Sequence, residues 1–70
     1  MTTRDDFGLT HRQREVLQLV ADGYTHRDIA AALGLQIKTI DSHVSTICGV
    51  LRARNGTHAA VEGVRKEVID

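Results

Sequence analysis

The chain has 70 residues, with nine Lys and Arg against nine Asp and Glu, so its formal net charge is zero. It is 41% hydrophobic, with one Phe, one Tyr, one Cys, no Trp and no Pro. A chain this short buries only about 60% of the surface its unfolded form exposes, which leaves room for one small domain and no deep catalytic cleft. A single cysteine cannot form an internal disulfide, and a reducing, cytoplasmic setting is expected. No apolar run approaches the roughly 18 residues of a membrane span, and the polar, acidic start MTTRDDFG is unlike a secretory leader. Charge neutrality argues against a simple polycation that coats nucleic acid.

Glycine is the main punctuation, at positions 8, 23, 34, 49, 56 and 63, and the stretches between read as helices without any strand-like alternation. The fold class expected is all-α. Residues 1–8 read as a short N-terminal extension and residues 9–70 as the domain.

The first helix is expected to begin at Thr10. Thr10 and Gln13 have the capping-box spacing, in which each side chain satisfies a backbone N–H of the other. Val16, Leu17 and Val20 share a face, with Leu19 at its margin, and Gly23 suits the left-handed residue after the last turn. Thr25 and Asp28 repeat the N-terminal signature for a second helix, where the acid is also favoured by the helix dipole. Ile29, Ala30 and Leu33 form its inward set, and Gly34 ends it.

The third helix is expected from Gln36 or Ile37 to about Arg52. Ile37, Ile40, Val44, Ile47 and Leu51 make one apolar stripe. Lys38, Ser42, Ser45, Thr46 and Gly49 lie opposite, a small polar surface that nothing bulky keeps from a flat or grooved partner. The fourth helix is expected from about Asn55, with Ala60, Val61, Val64 and Val68 as its stripe and Gly63 as a weak point of up to about 1 kcal/mol relative to Ala.

Two helices joined by Gly34-Leu35-Gln36 have the form of a helix-turn-helix. In that motif one helix braces another whose outer face enters the major groove. A small helical bundle with a tight turn has the same pattern.

The chain also resembles the LuxR/GerE-type (NarL-type) DNA-binding domain. The resemblance rests on Leu9-Thr10, Arg12, Arg14-Glu15-Val16-Leu17, Gly23, Thr25, Ile29-Ala30, Leu33, Thr39-Ile40, His43, Ile47, Leu51 and Ala59, without a gap from Leu9 to about Val64. It implies a four-helix bundle with its recognition element in the third helix and a dimer contact in the fourth. Relatives mostly carry the domain behind a sensory one; some are stand-alone, and this chain has the stand-alone size. The sequence departs from the family's pattern at His26, Gln36, Asp41, Ser45, Val50 and Gly56, where relatives often carry other polar or cationic groups. Asp41 and Ser45 replace frequent lysines.

The residues expected at DNA are therefore Arg27, Lys38, Thr39, Asp41, Ser42, His43, Ser45, Thr46, Arg52 and Arg54. Lys38 points outward in the first turn and suits a phosphate or guanine; a merely solvated lysine is the plain alternative. Thr39 and His43 match positions that touch the DNA backbone, though a first-turn hydrogen bond and a half-buried structural role compete. Asp41 has the wrong sign for phosphate but accepts a hydrogen bond from a cytosine amine. Val61, Val64 and Val68 are the expected dimer surface; the same stripe could instead close the monomer's core.

By position, residues 23–58 hold Arg27, Lys38, Arg52 and Arg54 against Asp28 and Asp41, while the other seven acids lie in the flanks. Neutrality is the sum of a mildly basic middle and acidic ends. His43 and Cys48 diverge by about 140° on one helix and cannot share a metal ion; Cys48 reads as a small, partly buried side chain. No metal, cofactor, membrane or small-molecule ligand is implied. No nucleophile–base pair or phosphate-binding glycine loop suggests an enzyme.

Two functions remain open. One is a sequence-specific transcription regulator that binds double-stranded DNA as a homodimer. The other is a protein-interaction module of the same fold that acts on RNA polymerase or another regulator.

Overall fold

The computed structural model describes residues 7–70; most of the expected N-terminal extension, residues 1–6, lies outside them. Four helices follow in order: α1, His11–Ala21; α2, His26–Leu33; α3, Ile37–Leu51; and α4, Gly56–Arg65. There is no strand among the described residues. None of these helices is long and apolar enough to cross a membrane.

The helix starts follow from local chemistry. The Thr10 hydroxyl accepts the Gln13 backbone N–H at 3.1 Å, and the Gln13 side-chain oxygen Oε1 accepts the Thr10 N–H at 3.0 Å. Thr25 and Asp28 make the same exchange at the head of α2, at 3.1 and 3.2 Å. The Asn55 side chain accepts the His58 N–H at 2.8 Å and opens α4. Each cap satisfies backbone donors that the first turn leaves without a helical partner, and stabilises by about 1 kcal/mol.

The ends use one geometry with different residues. After α2, Gly34 sits in the left-handed region (φ 70°, ψ 31°) and the Leu35 N–H returns to the Ala30 carbonyl at 2.9 Å. After α3, Arg52 takes the same conformation (φ 56°, ψ 44°), and Ala53 N–H returns to Cys48 at 2.9 Å. After α4, Glu67 does so (φ 60°), with Val68 N–H bound to Gly63 at 2.8 Å. Glycine carries no Cβ penalty there, whereas Arg52 and Glu67 carry one.

The core joins Leu9, Val16 and Leu17 with Ile29, Ala30, Ile40, Val44, Ile47 and Leu51. Ala59, Ala60, Val68 and Ile69 complete it from the C-terminal side. Packing is most extensive between α1 and α4 and between α2 and α3, and α3 also packs on both α1 and α4, so the helix-turn-helix pair is braced from behind by the other two.

Three expectations are corrected. Ile37 is 40% exposed and does not join the α3 stripe inside; side chains tilt toward a helix N-terminus, so the first residue of α3 overhangs the turn. Val68 is not part of a continued α4. The chain turns back at Glu67, so Val68 is 2% exposed and packs in the core, which removes it from the expected dimer surface. Gly63 is more than a weak point of its helix: a Cβ there would lie 2.8 Å from Leu17 Cδ2 and 3.2 Å from Ile69 Cγ1, so those side chains would have to shift.

Candidate nucleic-acid interface

The Gly34 turn sets α3 across α2 with its large apolar side chains inward. Ile40, Val44, Ile47 and Leu51 are buried, and the remaining positions of α3 face out by helical geometry. Lys38, Asp41, Ser42, Ser45, Thr46 and Gly49 are exposed along that side, while Thr39 and His43 are half-buried on one flank. The outward surface is therefore made of short side chains around one lysine. Arg27 is exposed on α2, and Arg52 and Arg54 are exposed at the corner between α3 and α4. That corner is tied by the Arg54 N–H, which donates to His58 Nδ1 at 3.0 Å.

Electrostatics divide the molecule. On the α1 and α4 side, the exposed cations are held by local acids: Arg12 pairs with Glu15 at 3.5 Å, and Glu62 takes both Lys66 at 2.6 Å and Arg65 at 3.7 Å, while the half-buried Arg14 makes no ion pair among the described residues and its Nε has no hydrogen-bond partner. The Lys66 hydrogen bond is the main cause that holds the Glu62 carboxyl below its usual range, helped by the charges of Lys66 and Arg65. Around α3 the situation reverses. Among the described residues, none of Arg27, Lys38, Arg52 or Arg54 is held in an ion pair.

The two acids of this region are both engaged instead. Asp28 caps its own helix, and Asp41 Oδ1 lies 2.7 Å from His26 Nδ1. A carboxylate accepts only, so the imidazole nitrogen donates. This cross-helix pair had no signal in the sequence, because its members are 15 positions apart on different helices. It softens the expectation that Asp41 simply opposes DNA, since half of its carboxylate is occupied.

Cys48 is half-buried, and burial pushes its thiol above the usual range, which disfavours the thiolate a metal or nucleophile role needs. No group of three or more metal-ligating side chains occurs among the described residues.

On α4, the outward surface is different. Ala59, Ala60 and Gly63 face in. Val61 and Val64 are 49% and 46% exposed, beside Ala21 and Arg65 in a shallow apolar depression.

Comparison with known proteins bears on this geometry. The model of the bacterial regulatory proteins, luxR family (GerE), matches residues 8–62. The transcriptional regulatory protein DegU of Brevibacillus brevis is 44% identical over 57 residues, which are 81% of this chain and 24% of that protein. The response regulator protein VraR of Staphylococcus aureus is 38% identical over 61 residues, 87% of this chain and 29% of that protein. A solved structure of the transcription factor GerE superposes with a TM-score of 0.84 at 30% identity, covering 96% of this chain and 97% of that one. The chain thus spans about a quarter of the length of the curated relatives it matches.

Proposed function

The chain belongs to the luxR (GerE) family of bacterial regulatory proteins, and from that premise we propose that it regulates transcription by seating α3 in the major groove of duplex DNA. The observation that carries this is the contrast in charge pairing. Four exposed cations surround a helix face of short side chains and make no ion pair among the described residues, whereas the exposed cations on the α1 and α4 side, Arg12, Arg65 and Lys66, are paired. Free cations release counterions from DNA phosphates on binding; cations already paired gain less.

In this reading Lys38 lies deepest, on a phosphate or a guanine edge. Ser42, Ser45 and Thr46 offer hydroxyls to bases or phosphates, and Arg27, Arg52 and Arg54 hold the backbone on either side. Thr39 and His43 contact phosphate from the flank. These roles fix register and orientation first and sequence second. The site of action is the cytoplasm, and no catalysis is part of the proposal.

The exposed Val61 and Val64 support a further part of it, a homodimer joined through α4. Two domains so joined double the phosphate contacts, which a single domain with three or four cations needs for useful affinity.

Binding to labelled duplexes across a salt series tests the proposal. Affinity should fall with salt, with a slope of roughly −3 to −4 per domain if four cations reach phosphates. A protein that binds no duplex at low salt, yet retains another regulator or a polymerase subunit, contradicts it and favours a protein-interaction role.

A further inference from the structure

Resting on the proposed DNA-binding role, we propose that Asp41, positioned by His26, reads a cytosine amine in the major groove. The geometry isolates this pair from the ordinary helix-surface alternatives. Lys38 lies three residues before Asp41, close enough on a helix for an ion pair. Yet the Asp41 carboxylate turns to His26 on α2, at 2.7 Å. The imidazole also lies near the start of α4, its Nε2 being 3.9 Å from where a Cβ on Gly56 would stand. A hydrogen bond from α2 therefore sets the direction of one carboxylate on α3.

That carboxylate remains accessible, with 59% of the Asp41 side chain exposed against 39% for His26. His26 occupies Oδ1, and Oδ2 has no protein partner among the described residues. A held carboxylate with one free oxygen is an acceptor and nothing else. On the major-groove edges, cytosine offers only its N4 amine as a polar group. Guanine offers N7 and O6, thymine offers O4, and adenine sets N7 beside its amine. Acceptors facing a carboxylate repel it, so the site favours cytosine, disfavours adenine less, and rejects guanine and thymine. Without His26, the carboxylate can rotate to pair with Lys38 or with solvent, and the discrimination weakens. His26 is thus a positioning residue, and Asp41 the reader.

Selection from a randomised duplex pool, followed by sequencing, tests the pair with the 70-residue chain. The wild type should show one position per half-site where cytosine is enriched about tenfold. Asp41→Ala should lose that preference at that position alone, with equal or tighter binding to the pool. Asp41→Asn should move it to adenine, whose N6 and N7 an amide matches. His26→Phe, which keeps a ring but removes the donor, should cut the preference to about threefold, and His26→Gln, which restores a donor, should recover most of it. A merely structural His26 would instead lower affinity for all sequences alike. If the wild type binds selectively and its preferences survive in the Asp41 variants, or change in none of the His26 variants, this inference fails alone. If the wild type binds no duplex, the proposed function fails with it.

Discussion

Helices α3 and α4 distribute side-chain bulk in opposite ways. α3 buries Ile40, Val44, Ile47 and Leu51 and shows short polar groups opposite them, with Ile37 and Val50 exposed near its two ends. α4 buries Ala59, Ala60 and Gly63 and shows Val61 and Val64 outside. One small bundle thereby carries two kinds of surface. α3 brings four large side chains into the core, whereas α4 comes in close on α1 with small residues and leaves its valines outward. A face of hydroxyls and one lysine gains by approaching phosphates and base edges. A face of two valines gains only by leaving water, at about 25 cal/mol per Å² of apolar surface covered.

The largest way to break this arrangement is beneath α4. Gly63→Val places atoms where Leu17 and Ile69 already stand, and overpacking of this kind costs about 1–3 kcal/mol. In so small a domain that is a large share of total stability. Thermal unfolding should show a much lower midpoint, while Gly63→Ala should fall between it and wild type. If Gly63→Val melts like the wild type, α4 does not approach α1 as described.

On the outer side of the same helix, Val64→Asp should weaken self-association at least tenfold while leaving the melting curve nearly unchanged, because the residue is 46% exposed. Sedimentation over a concentration series checks this; a wild type that stays monomeric at high concentration removes the dimer altogether.

Beneath the α3 face, Thr25→Ala deletes the hydroxyl that accepts the Asp28 N–H at 3.1 Å. The expected loss is about 1 kcal/mol, seen as a lower denaturation midpoint without a change in slope. The smallest effect is a gain. Arg52→Gly relieves a left-handed residue at the end of α3 and should stabilise by roughly 0.5–1 kcal/mol in the same assay. It should also weaken DNA binding slightly through the lost cation, so stability and affinity move in opposite directions.

What could be read in advance follows the range of each interaction. The capping pairs Thr10–Gln13 and Thr25–Asp28 are three residues apart, and the α3 stripe is a single helix period, so local pattern specifies them. The inward side of α4 was not legible. Hydrophobicity points to the valines, but the close approach of Leu17 and Ile69 decides for glycine and alanine. The stop after α4 depends on Glu67 adopting a conformation that its residue type does not favour, and Val68 and Ile69 enter the core only because of that turn. At the interface, helical spacing placed Lys38, Ser42, Ser45 and Thr46 on one exposed side. The partner of Asp41 required the tertiary fold, because nothing local links position 26 to position 41.

The central claim is that the α3 side, with its unpaired cations, is the surface that meets DNA. It is tested most directly by the salt dependence of duplex binding in the double variant Arg27→Ala, Lys38→Ala. That variant should bind every sequence more weakly, with a log–log salt slope shallower by about 2 per domain and an unchanged melting temperature. Binding and slope identical to those of the wild type would contradict it.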